Sequence, residues 1–130
     1  MKDELITFET AKLAKEKGFN YPSIHIYPIV DFFNTYKKGT LCVMMEESGD
    51  EAYAIENSLF AYAHTQSLLQ RWLREVHNIH VEVGYYNSGY DCDVVVFSDG
   101  VFDYIYETQG NISYEEALET GLQEALKLLP

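Results

Sequence analysis

The sequence predicts an α+β fold. Its antiparallel sheet has a C-terminal part that runs helix, strand, strand, strand, helix, preceded by an N-terminal helix and a hairpin. Three observations carry this. From Thr65 to Tyr86, "TQSLLQRWLREVHNIHVEVGYY", the apolar period switches from that of a helix to that of a strand. Two β-rich runs, "YDCDVVVF" and "VFDYIYET", then meet through Ser98-Asp99-Gly100, a hairpin signal. The closing "SYEEALETGLQEALKLLP" opens with Ser113 and Glu116 at capping-box spacing and continues as a helical stripe.

A chain of 130 residues, 47% hydrophobic, is the size of one domain and can bury a core. It has no internal repeat, low-complexity tract or linker at which to divide it, so residues 1–130 are read as a single domain. In chain order, Thr7 caps a first helix, "TFETAKLAKEKG", with Glu9 at its positive end, Lys15 and Lys17 at its last turn and Gly18 to end it. Only Phe8, Ala11 and Ala14 form its apolar stripe, so it lies on the domain surface. Ile24 to Val30 and Leu41 to Met45 read as strands of a hairpin, with the turn residues "NTYKKG" between them. Residues 51–63 stay open between strand, helix and loop.

In the second helix Thr65 is the cap. Leu68, Leu69, Trp72, Leu73 and Val76 face inward, Gln66, Gln70, Arg71 and Arg74 face outward, and the helix stops near His77-Asn78. In the strand that follows, Ile79, Val81, Val83 and Tyr85 alternate with His80, Glu82, Gly84 and Tyr86. In the last helix, Ile112 and Ala117 are spaced as a staple, and Leu118, Leu122, Ala125, Leu126 and Leu129 make the buried stripe. Gly121 lies on that stripe, which implies close approach to the sheet.

The net charge of -12 is unevenly spread. Residues 1–74 hold ten acids and eight bases, a net of -2, whereas residues 75–130 hold eleven acids and Lys127 alone, a net of -10. Such a field repels phosphate backbones and disfavours direct nucleic-acid binding by the C-terminal half, and it leaves a basic protein partner open. No segment approaches the roughly 18 apolar residues of a membrane span, and the N-terminus lacks a signal-peptide core. The chain therefore reads as cytoplasmic, with Cys42 and Cys92 as reduced thiols.

Three segments, "TAKLAKEKGF", "TQSLLQRWLREVHNIHVEV" and "YEEALETGLQEALKL", together covering about half the chain, resemble a family of small uncharacterised proteins encoded in gut-bacterial genomes and their prophages or mobile elements. The resemblance implies a mobile-element setting and a shared scaffold, and carries no functional residue with it. The order of elements over residues 65–129 is also the layout of a double-stranded-RNA-binding domain. Recognition through that layout needs basic residues at the phosphates, whereas the last helix carries Glu115, Glu116, Glu119 and Glu124.

The turn at Asp99-Gly100 sets which residues share a sheet face. A three-residue loop with a bulge at Gly100 gathers Asp91, Asp93, Asp103 and Glu107 on one side, with Cys92, Val94 and Val96 on the other; a two-residue loop splits the acids. The three-residue loop is the favoured reading. Tyr86 and Tyr90 flank "NSG" beside these acids, so Asp91, Asp93, Asp103, Glu107, Tyr86 and Tyr90 are the candidate binding residues.

No catalytic constellation is present: there is no nucleophile elbow, phosphate-binding glycine loop or zinc signature, and Cys92 lies between two carboxylates that suppress its thiolate. His77 and His80 have the spacing of half a metal site, but a helix-end histidine and a strand-face histidine account for them. The sequence thus predicts no enzyme, no cofactor and no metal. It predicts an accessory protein-interaction domain of a mobile element, in its sharpest form an acidic mimic of nucleic acid. A domain binding a small ligand or cation is the alternative, and homo-oligomerisation stays open.

Overall fold

The computed structural model describes residues 4–43, 57–86, 89–111 and 113–130, with the backbone alone at 57, 86, 102 and 104–111. It is a mixed α+β structure of helices and antiparallel sheets that divides into two compact units, one of residues 5–64 and one of residues 65–130 with Glu4.

In residues 5–64, helix α1 spans Phe8–Glu16. The Thr7 hydroxyl accepts the Thr10 N–H, the Lys17 N–H closes on the carbonyls of Leu13 and Ala14, and Ala11 and Ala14 are buried as the sequence predicts, whereas Phe8 is only half-buried and Thr10 is buried instead. Strand β1 (His25–Pro28) lies between β2 (Cys42–Val43) and β3 (Phe60–Tyr62), antiparallel to both, with Ile26 paired to Cys42 on one side and Tyr62 on the other. The predicted hairpin is therefore present in shorter form; Met44 and Met45 lie outside the described residues. Its connection folds on itself where Phe32 and Tyr36 bridge and stack their rings at 4.6 Å. Within the stretch left open by the sequence, a 3₁₀ turn at Asn57–Leu59 feeds β3, and residues 51–56 lie outside the described set. Ile6, Ile26, Phe60 and Ala61 form the centre of this core, where the Tyr27 hydroxyl donates to the Ile6 carbonyl at 2.7 Å. The Lys15 ammonium donates to the Phe60 carbonyl and lies 5.6 Å from the centre of the Phe60 ring, and burial lowers its pKa.

Residues 65–130 place helix α2 (Gln66–His77), strands β4 (Ile79–Tyr86), β5 (Gly89–Ser98) and β6 (Val101–Asn111), and helix α3 (Tyr114–Lys127) in that order, with the sheet running β4-β5-β6. The Thr65 hydroxyl accepts the Leu68 N–H at 3.2 Å, and Asn78, at φ +55°, ends α2 where the period changes. Leu69, Trp72 and Leu73 are buried as the helical spacing requires. Two outward assignments fail, because polar side chains here find partners inside. The Gln66 amide donates to the Glu115 carbonyl and the Glu119 carboxylate, both at 2.9 Å, and the Gln70 amide donates to the Val81 carbonyl at 2.6 Å. Val76, in the last turn, is exposed.

The Ser113 hydroxyl accepts the Glu116 N–H at 3.1 Å, and Leu118, Leu122, Ala125, Leu126 and Leu129 are all buried. Ile112, the other half of the predicted staple, lies outside the described residues. Helix α3 lies across all three strands, and Gly121 is where it comes closest. A Cβ on that residue would sit 2.1 Å from Cys92 Sγ and 2.7 Å from Val81 Cγ1, so only glycine fits.

Candidate functional site: an acidic sheet row and a tyrosine cluster

Pairing within β4-β5-β6 decides which candidate residues meet. Between β4 and β5 the register runs without interruption, and it sets Ile79, Val81, Val83 and Tyr85 beside Val96, Val94, Cys92 and Tyr90. This is the face that meets Gly121. The other face of the same pair carries His80, Glu82 and Gly84 beside Val95, Asp93 and Asp91.

The favoured three-residue loop at the β5-β6 turn is not what forms. Ser98 pairs with Val101, leaving Asp99 and Gly100 as a two-residue loop with φ of +53° and +78°, the pair of positive values a type I′ turn demands. The twist of that turn matches the twist of the strands, and glycine and aspartate tolerate its backbone, so it wins over the bulged alternative. Asp103 consequently pairs with Val96, in the register of the helix-facing residues, where it is exposed. The register then shifts, because Val95 pairs with Tyr104 and Val94 with Tyr106, which leaves Ile105 as one extra residue in β6. Beyond the shift Asp93 pairs with Glu107.

The outcome is a row of three acids at adjacent positions across three strands, Glu82 on β4, Asp93 on β5 and Glu107 on β6. Asp91 follows two residues along β5. Strands lie about 4.8 Å apart, and like charges directly paired across strands are in general unfavourable. Asp91 and Asp93 are half-buried and Glu82 is exposed, whereas the side chain of Glu107 lies outside the described residues. Glu82 was not among the residues singled out from the sequence, although its alternation with Val81 and Val83 placed it on the outer face.

Tyr90 belongs to the other group. It pairs with Tyr85, and its ring lies 5.2 Å from that of Tyr85 and 6.0 Å from that of Tyr114, at interplanar angles of 66° and 84°. The first residue of α3 thus joins two strand-end tyrosines in an edge-to-face cluster on the helix side of the sheet. Tyr86 pairs with Gly89 and its side chain lies outside the described residues, as do Asn87 and Ser88. Of the six candidates, the structure brings Asp91, Asp93 and the Glu107 position together and puts Tyr90 and Asp103 elsewhere.

Cys92 is fully buried beneath Gly121, and its thiol is pushed up to about 12, first by burial and then by the neighbouring Asp93 charge, against a small opposing contribution from the Gly121 backbone. His77 closes α2, with its ring 4.6 Å from that of Trp72 and its Nε2 buried without a hydrogen-bond partner among the described residues. His80 pairs with Val95, one step along from the Glu82 row. Among the described residues no group of three His, Cys, Asp or Glu is placed to hold a metal ion, and no helix is long and apolar enough to cross a membrane.

Comparison of the chain with protein-family models, curated proteins and solved structures finds no match.

Proposed function

We propose that this protein is a non-enzymatic interaction module, an accessory factor of a mobile element, that offers the acidic sheet face to a basic protein partner in place of nucleic acid. The observation that carries the reading is the Glu82, Asp93, Glu107 row with Asp91 beside it. Like charges set at adjacent register positions lower the stability of a sheet, and a partner that neutralises them recovers what the isolated fold gives up. A basic groove that binds duplex DNA recognises closely spaced fixed negative charge and releases counterions on contact, and a line of carboxylates meets the same groove by the same physics. The net of -10 over residues 75–130 adds a long-range field of the same sign.

The test is affinity capture from nuclease-treated bacterial lysate on immobilised protein, beside a variant carrying Glu82→Gln, Asp91→Asn and Asp93→Asn, read by mass spectrometry. The expected result is a basic nucleic-acid-handling protein held by the native chain, released by salt or by added duplex DNA, and absent from the variant. Equal retention by both proteins, or retention that duplex DNA does not disturb, overturns the mimic. A divalent cation is the competing occupant of these carboxylates. A rise in Tm with calcium or magnesium that the variant loses would favour it.

A further inference from the structure

The tyrosine cluster supports a more specific inference, which rests on the basic-partner reading above. We infer that Tyr85, Tyr90 and Tyr114 form a receptor for the guanidinium group of an arginine presented by the basic partner. Tyr85 is 68% exposed and Tyr114 is 43% exposed, although aromatic rings linked in this way, each touching Tyr90, are the kind of surface a fold ordinarily covers. The edge-to-face contacts of Tyr90 with Tyr85 and with Tyr114, at 5.2 and 6.0 Å, set neighbouring rings at steep angles, so their faces are turned in different directions. Each ring face carries the negative part of its quadrupole, and a flat guanidinium stacks on such faces while keeping its N–H groups free for carboxylates.

Charge complementarity selects the occupant. The cluster lies at the N-terminal end of α3, whose positive dipole end would repel a cation. Glu115 and Glu116, both exposed in the first turn beside Tyr114, offset that end. Lys127, the one base in residues 75–130, stands in the last turn of α3, away from the cluster at its first turn. An aromatic surface in an acidic field with no base nearby along the chain discriminates for an organic cation over a neutral apolar group. Arginine is favoured over lysine because its plane matches the ring faces and it is more weakly hydrated.

The experiment is calorimetric titration of the full chain with a peptide of alternating arginine and glycine, and with its neutral citrulline counterpart, at low salt. Native protein, Tyr85→Leu, Tyr114→Leu and the Glu82→Gln, Asp91→Asn, Asp93→Asn variant are compared. Both tyrosines are exposed, so their leucine variants keep the core, which a melting curve verifies. The expected result is a loss of about tenfold in arginine-peptide affinity for each tyrosine variant, with little binding of the citrulline peptide by any protein. If the tyrosine variants bind as the native chain does while the acid variant weakens, the arginine receptor is overturned and the basic-partner reading stands. Equal affinity for the arginine and citrulline peptides, lost with the tyrosines, also overturns it, since the contact would then be apolar. If the native chain binds neither peptide, the arginine receptor is overturned, and the basic-partner reading is decided by the lysate capture alone.

Discussion

The two faces of the sheet in residues 65–130 are built under opposite constraints from the same three strands. On the helix side, Val81, Cys92 and Val94 are buried and leave Gly121 no room for a single added carbon. On the other side Glu82 and Asp93 are paired across β4 and β5, where opposite charges or two β-branched residues would have held the strands better. The first face is what the fold needs. The second also buries Val95 but sets acids beside it, and departures from local stability of this kind concentrate at functional surfaces.

The largest expected effect lies on the packed face. Gly121→Val should cost at least about 3 kcal/mol, because overpacking of about 1–3 kcal/mol is the usual result and here the neighbours are a buried thiol and a strand residue, not a flexible tip. Urea unfolding measures it. In the double variant with Cys92→Ala the nearest obstructing atom is removed, so part of the loss should return. Additivity of the two changes would mean that the close approach is not what makes position 121 intolerant.

The same thiol gives the next effect. The folded state holds the Cys92 proton up to about pH 12 while the unfolded chain releases it near 9.0, so the stabilising contribution is complete below pH 9 and is lost as pH rises. Each pH unit in that window should remove about 1.4 kcal/mol, and Cys92→Ala should flatten the slope. Native-state alkylation at pH 8 should label the half-exposed Cys42 well before Cys92, and Asp93→Asn should leave that order intact, because burial outweighs the aspartate charge. Rapid labelling of Cys92 in the folded protein would show that the packed face opens far more readily than its geometry implies.

At the turn, Gly100 adopts φ +78° with nothing within 4 Å of where a Cβ would be, so the cost of replacing it is conformational and not steric. Gly100→Ala should therefore lose about 1 kcal/mol, much less than Gly121→Val. A similar loss at both positions would mean that the packed face owes little to close approach.

How much of this was legible follows from the range of the interactions involved. Caps at Thr7, Thr65 and Ser113 and the end of α2 at Asn78 are short-range statements, and the residue types alone carry them; Gly121 was legible because a glycine on a buried apolar stripe marks close approach, whatever strand it meets. The burial of Gln66 was not legible, because its partners, Glu115 and Glu119, lie about fifty residues away. The β5-β6 register is the instructive case. Asp99-Gly100 selected the two-residue turn, and the extra residue at Ile105 then returned Glu107 to the same face as Asp91 and Asp93, the grouping that the longer loop had suggested. No pattern in "VFDYIYET" marks that shift, since Phe102, Tyr104, Ile105 and Tyr106 all suit a strand. The aromatic cluster was half legible: Tyr85 and Tyr90 flank one short turn, whereas Tyr114 reaches them only because α3 starts where it does.

The smallest effect tests the other face most directly. If the acidic row is retained at a cost to stability, Glu82→Gln should stabilise the protein by roughly 0.2–1 kcal/mol in urea at low salt, because Glu82 is exposed, pairs with Asp93 and loses only repulsion. Glu82→Lys should do slightly more, since it converts a like-charge pair into an opposite one. Both gains should shrink at high salt, where the Debye length falls to a few ångströms. The same substitutions should weaken binding to a basic partner, and a gain in stability coupled to a loss of binding is the signature of a surface held for function. If Glu82→Gln instead destabilises the fold at low salt, the row is part of what holds β4 to β5. The contrast between the faces then reduces to two ways of packing one sheet.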